Sequence, residues 1–195
     1  MSTTITKSIQ LTTTGTSGAA TLVGSTLNIP QYSGGGGSSN PSVIALSVVN
    51  GAVVTGTTID TISATLLIPA NTFTGNGILE IITRGTRNVV GAAAVTFRVY
   101  TNTSASLTGA TLIATSGTSG TGFAFNQIIR TARINSNTLT CLNSTVTASS
   151  DYAGSAITTS VTFNTSVDNY LLFSCQLVSA SDTAYNEMAR AIKYI

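Results

Sequence analysis

The 195-residue chain carries 36 threonines and 24 serines against 14 formally charged residues, and its net charge is +2. So few and so dispersed basic groups exclude a nucleic-acid partner, because phosphate binding needs clustered Lys and Arg that release counterions. No run of 18 apolar residues is present, and Met1-Ser-Thr-Thr-Ile-Thr-Lys7 lacks the apolar core of a signal peptide. The expectation is a chain made in a cytoplasm and not inserted into a membrane.

The excess of Thr, Val and Ile favours strands, since a branched Cβ loses rotamer freedom in a helix and packs well on a pleated surface. In chain order, Ile5 to Leu11 reads as a strand, Gly15-Thr-Ser-Gly18 as a turn, and Ala20 to Val23 as a second short strand. The Gly24-Ser25 turn and Leu27-Asn-Ile-Pro30 follow. Three such strands cannot bury a core alone, so residues 1–32 must dock on something. Residues 33–40, Ser-Gly-Gly-Gly-Gly-Ser-Ser-Asn, form a flexible hinge with a root-mean-square reach of about 16 Å. Residues 41–195 are more apolar and read as a compact module.

Within that module, Val43 to Val49 and Ala52 to Val54 flank Asn50-Gly51, which predicts a hairpin because both turn residues accept positive φ. Thr58 to Ile68 is a strand ended by Pro69, and Gly77 to Thr83 is the next. Arg84 to Gly91 reads as a loop, with Arg84 and Arg87 as a solvated turn or, on the sharper reading, a contact for an acidic glycan. Ala94 to Tyr100 has a period of two that sends Val95, Phe97 and Val99 to one face and Thr96, Arg98 and Tyr100 to the other. Further strands are expected at Ala110 to Thr115, Phe123 to Ile134, Thr138 to Thr147, Ile157 to Phe163, Tyr170 to Val178 and within Glu187 to Ile195. Helix competes only over Ala184 to Ile192. About ten strands at this spacing predict an all-β fold, a jelly-roll-like antiparallel β-sandwich preceded by a short extended N-terminal segment.

Cys141 and Cys175 lie in strand-like contexts and are expected to be small core hydrophobes rather than a disulfide. With no histidine there is no Ser-His-Asp or Cys-His arrangement and no imidazole ligand, so neither a metal site nor a cofactor is expected. The six carboxylates, Asp60, Glu80, Asp151, Asp168, Asp182 and Glu187, could form a glycosidase pair only if the fold brought two together across a cleft. Gly117-Thr-Ser-Gly-Thr-Gly122 lacks the lysine of a phosphate loop and reads as a turn. The Asn-x-Ser/Thr triplets at Asn102, Asn143 and Asn164 are what chance gives in a chain this rich in hydroxyls. No catalytic residue is assigned, and the chain is read as a non-enzyme.

The segments Ile9-Gln-Leu-Thr-Thr-Thr-Gly-Thr-Ser-Gly-Ala-Ala-Thr21 and Leu27-Asn-Ile-Pro-Gln-Tyr32 resemble a stretch common in fibre proteins of tailed bacteriophages. Leu67-Ile-Pro-Ala-Asn-Thr-Phe-Thr74, Phe97-Arg-Val-Tyr-Thr-Asn-Thr103 and Ser179-Ala-Ser-Asp-Thr-Ala-Tyr185 resemble their C-terminal modules. The resemblance implies a homotrimeric virion fibre or spike subunit, attached to a capsid, portal-proximal or tail protein through its N-terminus. Ile5, Ile9, Leu11, Leu22, Leu27 and Ile29 are then the attachment candidates. Arg84, Tyr100 and Tyr152, expected to be exposed, are the candidates for contact with a host-surface glycan or protein. Two other readings stay open: a purely architectural capsid decoration or connector, and a non-catalytic carbohydrate-binding or adhesin-like module. The last usually presents exposed tryptophan, which this chain lacks.

Overall fold

The computed structural model describes residues 10–12, 20–23, 25–29, 41–89, 94–118, 122–135, 137–142 and 158–194. The chain divides into two compact units, Met1–Ser39 and Asn40–Ile195. The hinge residues 33–40 lie outside the described residues.

The first unit holds three short strands, β1 (Gln10–Thr12), β2 (Thr21–Val23) and β3 (Thr26–Asn28). They form one sheet in the order β1-β3-β2, with β1 parallel and β2 antiparallel to the central β3. Strands of three residues offer too little surface to make a core, and Leu22, Val23 and Ile29 accordingly stand exposed.

The second unit contains β4 (Ser42–Ser47), β5 (Thr61–Ile68), β6 (Gly77–Val89), β7 (Val95–Asn102), β8 (Thr111–Thr118), β9 (Gly122–Asn135), β10 (Thr138–Leu142), β11 (Thr158–Thr162), β12 (Asn169–Leu177) and β13 (Thr183–Tyr194). They build a six-stranded sheet, β11-β10-β9-β6-β13-β4, and a four-stranded sheet, β5-β12-β7-β8. Every pairing in the two sheets is antiparallel. Six of the nine connections change sheet, which makes an all-β, jelly-roll-like sandwich. The described residues contain no helix, and Ala184 to Ile192 is strand.

Alternation builds the core. Along β7 the odd residues Val95, Phe97, Val99 and Thr101 are buried and the even ones are partly exposed, as the period of two predicts. Their cross-strand partners on β12, Leu177, Cys175, Phe173 and Leu171, are buried too. From the larger sheet, Leu79, Ile81, Ile128 and Ile134 complete the interior. Both cysteines sit in this core and no disulfide joins them. Burial pushes the Cys175 thiol up to about 12, with the Asp60 charge adding to the shift and a Ser63 hydrogen bond opposing it.

Two expectations are corrected. Asn50-Gly51 does not close a hairpin: β4 pairs only with β13, and residues after Ser47 cross toward the other sheet. The Gly51 amide donates to Asn186 O, the Ala52 amide donates to Ser63 O, and Val54 bridges Ala184. Gly51 serves close approach rather than a positive-φ turn, since a Cβ there would lie 2.4 Å from the Ser63 carbonyl oxygen. Nor do Arg84 and Arg87 form a solvated turn, because β6 runs on to Val89, paired with β9 on one side and β13 on the other. That pairing satisfies the backbone throughout, and Arg87 is buried at 4% exposure.

Candidate functional site

The described receptor candidates fall on different sheets. Arg84 lies on β6 in the six-stranded sheet and Tyr100 on β7 in the four-stranded sheet, so the fold does not bring them together. Tyr152 lies outside the described residues, as do Ile5 and Ile9; Leu11 is in β1, with its side chain undescribed. Of the other attachment candidates, Leu22 and Ile29 are exposed and Leu27 is half-buried.

Arg84 borders an open cleft of about 520 Å³ with Val48, Asn50, Gln127, Glu187 and Met188. Beside this cleft β13 bulges between Asn186 and Met188, which leaves Glu187 outside the ladder and within reach of Arg84. Arg84 Nε donates to Glu187 Oε2 at 2.6 Å, and Nη2 lies 2.5 Å from the same oxygen. The Arg84 side chain is half exposed, so solvent screens the pair and it adds little to stability.

Tyr100 is half-buried rather than an open platform. Its hydroxyl donates to Asp60 Oδ2 at 2.6 Å, and Arg98 Nη1 meets the same oxygen at 3.1 Å. Burial pushes the Tyr100 phenol up to about 12, helped by the Asp60 hydrogen bond and charge and opposed by Arg98. The alternation that turns Arg98 and Tyr100 outward together was readable in the sequence. Their shared carboxylate was not, because Asp60 sits 38 residues before Arg98 and arrives through the β5 edge.

Other carboxylates are tied into the fold. Asp168 Oδ1 accepts from the Ala70 amide at 2.8 Å, Glu80 accepts from the Tyr194 hydroxyl, and Asp182 is buried. Asp151 lies outside the described residues. Among the described residues, no group of three His, Cys, Asp or Glu could hold a metal ion.

The segments that resemble fibre modules do structural work. Pro69 ends β5, and Asn71 adopts φ 61°, a left-handed conformation that asparagine tolerates better than most residues. The Thr72 hydroxyl donates to Pro69 O at 2.6 Å, and Phe73 drops into the core. Similarly, Ser179 to Tyr185 forms the turn into β13, with the Asp182 amide donating to Ser179 O.

The second unit is thus an antiparallel β-sandwich, and in the chain it follows a small β unit. No family model and no curated protein matches the chain. Two solved structures are similar in part. One is the CBM2 module of the evolved Dit of Lactobacillus casei BL23 phage J-1, at 10% identity over 67% of this chain and 69% of that one, with a TM-score of 0.32. The other is infectious bursal disease virus, Gx strain, at 10% identity over 91% of this chain and 50% of that one, with a TM-score of 0.29. At these scores neither likeness carries an argument about function.

Proposed function

We propose that the chain is a virion fibre subunit of the tailed-phage type: a homotrimer anchored by residues 1–32, hinged at 33–40, whose sandwich of residues 41–195 meets the host surface. The observation that carries this reading is the apolar surface of the N-terminal unit. Leu22 is 61% exposed and Val23 76% exposed on a sheet of three-residue strands. Such a sheet cannot cover its own side chains, and burying each removes about 1.5–3 kcal/mol of unfavourable hydration, so a partner protein of the particle is the natural cover. Strand addition at the edges of β1 and β2, which pair with no further strand among the described residues, is one way to seat it. The fibre-like sequence at both ends and in the middle of the chain supports the same reading.

Deleting residues 1–32 is expected to leave a folded sandwich that no longer co-purifies with particles. Particle-bound truncated protein would sink the anchor assignment.

One observation favours a purely architectural role instead: both described receptor candidates, Arg84 and Tyr100, spend polar groups on internal carboxylates. Binding of the full-length protein to host cells separates the two readings, since a decoration protein binds particles and not cells.

A further inference from the structure

In a two-sheet sandwich the residues that face away from the core are ordinarily polar, and the smaller sheet follows this along β7 with Thr96, Arg98, Tyr100 and Asn102. The larger sheet does not. Its Leu79, Ile81, Ala189 and Ala191 belong to the core cluster, so the alternate positions of β6 and β13 point outward. There the ladder aligns Leu46, Arg190, Ile82 and Ile129 in one row across β4, β13, β6 and β9, and Val43, Ile192 and Glu80 in the next. Ile78 follows in a third row beside Tyr194. Val43, Leu46 and Ile78 are 54%, 52% and 42% exposed, while Ile82 and Ile192 at the centre are 8% exposed. An apolar patch of this kind on an outward sheet face marks an interaction surface.

The patch has two halves that complement each other. The β4–β13 half carries Val43, Leu46 and Ile192 with the positive Arg190, and the β6–β9 half carries Ile78, Ile82 and Ile129 with the negative Glu80. Arg190 forms no salt bridge among the described residues, and Glu80 accepts from the Tyr194 hydroxyl. Of the other charges on this face, Arg84 is paired with Glu187 and Arg133 stands exposed at the margin. A surface that holds both signs in nearly equal number favours a copy of itself over an acidic or a basic partner.

The width of the patch sets the number of copies. Four strands at about 4.8 Å span about 19 Å, and three such faces closing an equilateral prism place each sheet about 5.5 Å from the axis, close to half the roughly 10 Å at which sheets pack. All six strands would set each sheet about 8 Å away and leave the axis hollow. A three-fold contact is heterologous, so the β4–β13 half of one copy meets the β6–β9 half of the next. Three apolar residues then face three, and Arg190 faces the neighbour's Glu80.

We propose that the outward face of the larger sheet, over β4, β13, β6 and β9, is the surface by which three copies of this chain pack about a common axis. The smaller sheet, with its polar outward face, is then turned to the outside of the assembly. This inference rests on the reading of the chain as a trimeric fibre subunit and assigns the surface that makes the trimer.

The test is light scattering and cross-linking on the full-length protein. Leu46→Lys and Val43→Lys place a charge on exposed positions outside the core, so circular dichroism is expected to stay that of the parent. Each is expected to raise the concentration at which the trimer dissociates by about tenfold or more. Leu67→Lys, at a 43% exposed position on the smaller sheet, leaves the trimer intact. Ile82→Cys, beside the axis, is expected to give covalent dimers with a short bis-maleimide, and Leu67→Cys is not; the native Cys141 and Cys175 are buried and do not compete. The cross-link decides where the N-terminal unit also holds the trimer together. A trimer unmoved by both lysines that gives no cross-link from Ile82→Cys overturns this inference and keeps the trimeric fibre. A parent protein that is a monomer at every concentration overturns both, and a dimer that Leu46→Lys dissociates keeps the face as a contact between copies but overturns the three-fold arrangement.

Discussion

At Gly85 the larger sheet lies directly against the Phe97 ring of the smaller one, and replacing it tests the packing. It sits on β6, and a Cβ built there would lie 2.2, 2.4 and 2.7 Å from three atoms of the Phe97 ring. Carbon atoms pack at about 3.5–4.0 Å, so Gly85→Ala requires the ring to retreat by more than an ångström. Phe97 is 2% exposed and belongs to the central core cluster, so a close-packed interior resists that shift. Overpacking of this kind costs about 1–3 kcal/mol, and the reduced freedom of the unfolded chain returns about 0.4–1 kcal/mol because φ at Gly85 is not left-handed. The net expectation is a loss of about 1–2 kcal/mol. Urea unfolding followed by circular dichroism, at one protomer concentration so that assembly does not shift the midpoint, measures it as a lower midpoint at unchanged slope. Phe97→Leu in the same chain opens room for the new methyl, so the double variant is expected to lose less than the two single losses combined. An unchanged or raised midpoint for Gly85→Ala, or strict additivity with Phe97→Leu, refutes the reasoning.

Three further outcomes follow from the same geometry. Gly51→Ala is expected to cost about 1–3 kcal/mol, because its Cβ meets backbone 2.4 Å away and cannot be relieved by a rotamer change; a midpoint within error of the parent contradicts the close-approach role. For Tyr100 the unfolded phenol titrates near 10 and the folded one near 12, so between those values the fold holds a proton that the unfolded chain has released. Its contribution is complete below pH 10 and fades as pH rises toward 12, and Tyr100→Phe is expected to flatten the loss of stability between pH 9 and 11.5. An equal slope in both proteins removes the assignment. Cys175, buried and held up to about 12, is expected to resist alkylation at pH 8 until denaturant is added; rapid labelling of native protein, mapped by peptide mass, contradicts its place in the core.

What could be read from the sequence depended on whether the signal was local. Val95, Phe97 and Val99 alternate with polar neighbours, and that pattern alone assigns their faces. The end of β5 was equally readable, since Pro69 removes a ladder donor wherever it falls. Asn50-Gly51 misled because the same dipeptide serves a tight turn or a close approach, and only the distant Ser63 carbonyl decides which. Arg84 and Arg87 read as solvated because charge usually marks surface, yet strand pairing on both sides carries them through β6 and buries Arg87.

Light scattering of the full-length protein across a dilution series tests the central claim most directly. A homotrimeric fibre subunit is expected to hold a molar mass three times the 19.8 kDa of the chain at every concentration. A mass of one chain throughout would contradict it and leave the sandwich as an isolated binding module.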